Sequence, residues 1–161
     1  MLKPLEQFIC DTCGQVIETV KDGYLEWEHS SRIRKNFRII HATWVSPLGQ
    51  PKGCFELDAG TKGWGHATAA LEDFLTDKGL GRLLEWLDPG PYLQPDYDGS
   101  TLESLREYAE FFKRLRLPYY EEARHHFAQA VSDGVIDDSG NPAVYSNPNY
   151  LKAVAEQYSE H

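Results

Sequence analysis

The sequence holds no apolar run approaching the roughly 20 residues that a bilayer-spanning helix requires, which excludes a helical membrane span. Its opening residues, Met1 to Glu6, lack the apolar stretch of a secretory signal, so a cytoplasmic protein is expected. Cysteine is scarce and odd in number, at 3 residues. That count excludes a pure disulfide framework and leaves reduced thiols as metal ligands, a redox pair or core residues. Positive charge is also short: 16 Lys and Arg face 25 Asp and Glu, for a net charge of −9. The deficit belongs to one half, since residues 1–66 carry 8 charges of each sign while 67–161 carry 8 positive and 17 negative. An acidic second half disfavours wholesale binding to phosphate backbones. The chain has no internal repeat, no phosphate loop, no HExxH order and no evident triad. A non-enzymatic role is the leading expectation.

What is present centres on Cys10-Asp11-Thr12-Cys13-Gly14. Two thiolates separated by two residues on a glycine-relieved turn can chelate one zinc ion from a single knuckle. With His41 and Cys54 they give the spacing Cys-x2-Cys-x27-His-x12-Cys, a Cys3His site holding one structural zinc. His29 and His66 are alternatives to His41, which is favoured because it lies on a candidate strand and precedes Cys54 across a compact loop. The plain alternative is three unrelated core cysteines. A thiol-redox role for Cys10 and Cys13 wants a helix immediately after the motif, whereas Val16 and Ile17 read as a strand.

With 41% hydrophobic and 12% aromatic residues among 161, one domain or two small parts sharing a core is expected. The fold class reads as α+β: a zinc-stabilised, strand-rich part over 1–66 packed on a helical part over 67–161. Strands are expected at 8–9, 15–20, 24–28 and 37–44, the last putting Phe37, Ile39, His41 and Thr43 on one face. Helical periodicity starts at Ala67, with apolar faces Leu71/Phe74/Leu75, closed by Gly79, and Leu80/Leu83/Leu84/Leu87. Ser100 and Glu103 read as a capping box ahead of the stripe Leu102, Leu105, Tyr108, Ala109, Phe112 and Leu115. A helix from Pro118 to about Asp133 follows, then a small β-hairpin pairing Val135-Ile136 with Ala143-Val144-Tyr145, and a last helix capped by Asn147-Pro148.

Other clusters have local readings. Arg32, Arg34, Lys35 and Arg38 form a basic patch that offers phosphate contacts in a nucleic-acid-associated alternative, or simply solvates a strand. Glu121/His125 and Glu122/His126 are i,i+4 pairs that read as helix-surface pairs more readily than as metal ligands. Tyr92 and Tyr97 stand in an acidic, aromatic loop suited to a protein partner, and Trp64 and Trp86 read as core. The helix order ahead of the hairpin resembles a winged helix, but the acidic Pro118 helix suits a DNA groove badly.

Ile9-Cys10-Asp11-Thr12-Cys13-Gly14 resembles the first knuckle of zinc-ribbon proteins, which implies a β-rich module held by zinc. The chain also resembles a set of small bacterial proteins without assigned activity, through Phe8 to Gly14, Ile39-Ile40-His41, Ser46-Pro47, Cys54 and Leu117 to Ala123. The sequence thus points to a zinc-binding regulatory or protein-interaction module.

Overall fold

Alternating apolar and polar residues over 24–28 do form a strand, and it becomes the centre of the main sheet. The structure is a computed structural model that describes residues 1–30, 33–49, 51–56, 63–88, 101–137 and 142–159. Strands β1 (Phe8–Ile9) and β2 (Val16–Ile17) pair antiparallel as a short ribbon, with Phe8 opposite Ile17. A 3-10 turn at Val20–Asp22 leads into β3 (Gly23–Ser30), which lies between β4 (Ile33–His41) and β5 (Gly65–Ala70) in an all-antiparallel sheet. The fold is α+β, as expected: helices follow from Leu71 onward.

The helical periodicity read from Ala67 is overturned for its first turn. Residues 67–70 pair with Trp27 to Tyr24 as the second half of β5. The edge of β3 offers their backbone groups partners that a lone helical turn does not. Helix α1 (Leu71–Phe74) is therefore short, and α2 (Asp77–Leu87) begins after a break capped by the Thr76 hydroxyl, which accepts from the Gly79 N–H at 3.1 Å. Gly79, expected to close the first helix, instead lies inside α2. A Cβ there would stand 2.4 Å from the Phe74 Cα, so α1 and α2 approach too closely for any side chain.

Between Glu26 and Glu28 the β3–β4 register slips, with Asn36 and Phe37 together facing Trp27. Asn36 takes the left-handed conformation at φ 55°, as a bulge residue does. The bulge frees the Phe37 N–H, which donates to Glu107 Oε1 at 2.9 Å and so ties the sheet to α3 (Leu105–Arg116). That helix starts later than expected: its cap is Ser104, whose hydroxyl accepts from the Glu107 N–H, rather than Ser100, which lies outside the described residues. Its buried face is Tyr108, Phe111, Arg114 and Leu115 rather than the expected stripe, and Leu105 is exposed.

The single helix expected from Pro118 divides into α4 (Tyr120–Ala123) and α5 (Phe127–Ser132). Leu117 is extended, as the residue before proline must be, and Tyr119 sits at φ 68°. The expected β-hairpin is also overturned. The Val135 and Ile136 N–H groups both donate to the Ala130 carbonyl, closing α5 around Gly134 at φ 73°. Its partner segment is a 3-10 turn at Pro142–Ser146. No wing is formed by these segments. The last helix, α6 (Pro148–Tyr158), has the expected cap, with Asn147 accepting from the Asn149 N–H at 2.9 Å.

Two apolar clusters result. In the first, Phe37, Trp86, Phe74, Tyr108 and Phe111 pack between the sheet and α1–α3. Tyr120, Ala123, Ala130, Val144, Leu151 and Val154 form the second, around α4–α6. Among the described residues no helix is long and apolar enough to cross a membrane.

Candidate metal centre

The knuckle is a backbone turn before it is a ligand set. The Cys10 N–H donates to the Gln15 carbonyl, and the Gly14 N–H donates back to the Cys10 carbonyl, each at 2.9 Å. Gly14 sits at φ 71° with open space where a Cβ would stand, so backbone conformation alone asks for glycine here. Asp11 fastens the turn to the edge of β4. Its N–H donates to the Ile39 carbonyl at 2.8 Å, and its Oδ2 accepts from the Ile39 N–H at 2.7 Å. His41 stands two residues further along that strand, brought beside the cysteines by this register.

The loop after β4 returns Cys54 to the same place. The Thr12 hydroxyl donates to the Cys54 carbonyl at 2.5 Å, and Ser46 Oγ lies 3.0 Å from Cys54 Sγ. The Sγ atoms of Cys10, Cys13 and Cys54 and a ring nitrogen of His41 all lie within 4.8 Å of one another. His41 Nε2 is 3.1 Å from the Val16 carbonyl, which can only accept, so this nitrogen carries the proton. Its Nδ1 is left with a lone pair facing Cys13 Sγ at 3.4 Å and Cys54 Sγ at 3.8 Å. Cys10, Cys54 and His41 are buried and Cys13 is half-buried.

Ionisation within the cluster is uneven. Burial pushes the Cys10 thiol up, but N–H donors of Cys13, Thr12 and His41 outweigh it and bring the group to about 7. Burial pushes Cys54 up to about 12; the Ser46 hydroxyl opposes this, and the neighbouring sulfurs add to it. One thiolate is favoured and discourages the next, a conflict that a cation among the sulfurs removes. The four residues form a donor set that can hold a metal ion.

His29 and His66 do not join it. His29 is exposed, and His66 Nε2 lies 3.1 Å from the buried carboxylate of Glu26. The basic patch is engaged internally where it is described. The Arg34 guanidinium lies 5.2 Å from the Trp86 ring centre, and Lys35 pairs with Glu103 and covers Trp64 at 3.7 Å. Arg38 pairs with Glu56 and donates to Thr12 Oγ1 and the Asp11 carbonyl. Trp64 is thus half-buried under the Lys35 ammonium rather than core, whereas Trp86 is core as expected. Arg32, Tyr92 and Tyr97 lie outside the described residues.

Glu121 departs most from its expected role as a helix-surface residue. It is 6% exposed and takes both Nε and Nη2 of Arg114, at 2.7 and 2.9 Å. Arg114, itself 4% exposed, turns Nη1 to both carboxylate oxygens of Asp11, at 2.7 and 3.0 Å, and donates from Nη2 to the Ile9 carbonyl. Sequence reasoning missed this network. Its signal was Arg114 falling on the same helical face as Tyr108, Phe111 and Leu115, where a charge needs a buried partner.

Beside the centre a shallow groove of about 290 Å³ is lined by Gln15, Val16, Glu18, Asp22, His41, Val45 and Pro47. Trp44 and Leu48 project from the adjoining loop, 63% and 57% exposed. No family model, no curated protein and no solved structure matches the chain. The zinc-ribbon and small-bacterial-protein resemblances thus gain no family assignment, and the site stands on its geometry.

Proposed function

We propose that the protein is a non-enzymatic module whose Cys10, Cys13, His41 and Cys54 hold one structural zinc ion and whose surface serves a protein partner. The observation that carries this reading is the convergence of four donor atoms within 4.8 Å. Sulfurs around zinc at about 2.3 Å span tetrahedral edges of about 3.8 Å, slightly less toward nitrogen. Separations of 3.4 and 3.8 Å from His41 Nδ1 to two of the sulfurs suit that solid. The Val16 carbonyl then plays the orienting part that a second hydrogen-bond partner commonly takes for a zinc-bound histidine.

Four protein ligands fill a tetrahedral ion and leave no position for water or substrate, which supports a structural role over a catalytic one. Exposed Trp44, Val45 and Leu48 beside the centre support a protein-facing surface. The nucleic-acid alternative draws less support, because Arg34, Lys35 and Arg38 already face internal partners. The redox alternative draws less as well. Cys10 is buried, and a strand rather than a helix start follows the motif.

Elemental analysis of protein purified without chelator or affinity metal tests the reading. One zinc per chain is expected, reduced in Cys54→Ser and His41→Ala. A metal-free protein that takes up no added zinc would sink it.

A further inference from the structure

The buried ion pairs join two parts of the molecule that the apolar clusters leave separate. The knuckle's own ribbon is short: Phe8, Cys10 and Ile17 reach into the first apolar cluster, but β1 and β2 pair over only two residues each, and Asp11 and Thr12 are half-buried. Yet α4 fastens itself to this segment and to the residues before it. Glu121 Oε1 accepts from the Ile9 N–H at 3.0 Å, and Glu122 Oε2 accepts from the Leu2 N–H at 2.8 Å. Arg114 spans the join, with Asp11 between the first two metal donors on one side and Glu121 at the head of the second apolar cluster on the other. Arg124 adds its charge to the same pair, 3.6 Å from Asp11.

We infer that metal occupancy of the Cys10/Cys13/His41/Cys54 centre and docking of the α4–α6 body onto the N-terminal part are one coupled equilibrium, transmitted through Asp11, Arg114 and Glu121. This rests on the zinc reading. With the ion in place, Asp11 is held at the position that completes the shell around Arg114. With the ion gone, the knuckle loses the constraint that ties Cys10 and Cys13 to His41 and Cys54, and Arg114 and Glu121 lose the fixed placement of the Asp11 carboxylate and the Ile9 peptide. Two charges buried at 4% and 6% exposure do not tolerate that loss, so the α3–α4 junction opens and water reaches them. The body that loosens carries the apolar residues Tyr120, Leu151 and Val154, so metal state governs whether that surface is covered. Coupling between binding and docking is reciprocal by linkage: whatever weakens docking weakens zinc binding by the same factor.

Hydrogen exchange on the full-length protein, with and without removal of zinc by a chelator, tests the inference. Exchange over residues 8–14 and 118–131 is expected to rise together, by tenfold or more. The variant Glu121→Gln, which touches no metal donor, is expected to lower zinc affinity about tenfold, the scale at which outer-shell partners act. Competition with a chromophoric chelator reads this. Zinc loss that leaves 118–131 unchanged overturns the coupling while the zinc reading stands, as does wild-type zinc affinity in folded Glu121→Gln. A protein that neither carries nor takes up zinc overturns both. If Glu121→Gln does not fold, the wild-type exchange comparison decides alone.

Discussion

Arg114 uses every nitrogen of its guanidinium: Nε and Nη2 meet Glu121, Nη1 meets Asp11, and Nη2 also meets the Ile9 carbonyl. Such a group is expensive to leave half-paired. Glu121→Ala is expected to destabilise the protein by about 3–5 kcal/mol in urea unfolding, since it strands a buried cation. The same carboxylate makes stability depend on pH. Burial raises its pKa, but Arg114 and Arg124 and the Ile9 N–H outweigh this and hold it below the ordinary 4.5. A carboxylate lowered on folding contributes stability above its unfolded pKa and loses it as the pH falls through the folded value. The urea midpoint of the wild type is therefore expected to fall on acidification below about pH 4.5, and Glu121→Gln to flatten that slope; equal slopes would remove Glu121 as the cause. The convergence of Cys10, Cys13, His41 and Cys54 was legible at this scale because CxxC is the spacing by which a single turn can present two thiolates to one ion. Choosing His41 over His29 and His66 followed from strand placement. Glu121 was not legible, because an i,i+4 pattern cannot tell a solvated helix face from one turned toward an arginine far along the chain.

Elements were legible where one physical signal acted alone. The Asn147-Pro148 start of α6, the strand at 24–28 and the body of α2 follow from caps and periodicity without help from distant contacts. Reading failed where tertiary partners overrode local preference. Alanines 67, 69 and 70 favour a helix in isolation, but β3 presents an unpaired edge and they join it. Val135 and Ile136 are good strand formers, yet their N–H groups close the end of α5 instead. The α1–α2 junction shows how tightly such joins are made. Gly79→Ala is expected to cost about 1–3 kcal/mol by overpacking, despite alanine being the better helix former, because the new methyl meets Phe74 and Asp73 backbone. Thermal unfolding measures this, and an unchanged or raised midpoint would mean that α1 yields freely.

At the scale of the whole molecule, the proposed ion acts as a ligand of the folded state only. The melting temperature is then expected to rise with free zinc, each tenfold step above Kd adding about 1.4 kcal/mol. Calorimetry across a zinc-buffered series measures it, and a flat response with metal bound would place the centre outside the cooperative unit. An α+β fold, strands first and helices after, was legible from the change of period along the chain, although that change falls at Leu71 rather than Ala67. How the parts are joined was not, because that depends on pairings between residues 9–11 and 114–121 that leave no local mark. Charge told part of the story too: the acidic half spends Glu121 and Glu122 on the neutral half rather than on solvent.

The position of the donors along the chain also sets an order of events during synthesis. All four residues of the candidate centre lie between Cys10 and Cys54, so with a metal ion at hand the centre could close on the ribosome while α3 and α4 are still untranslated. Asp11 is by then tied to the edge of β4 through the Ile39 peptide, and the emerging Arg114 finds a preformed anion to settle on.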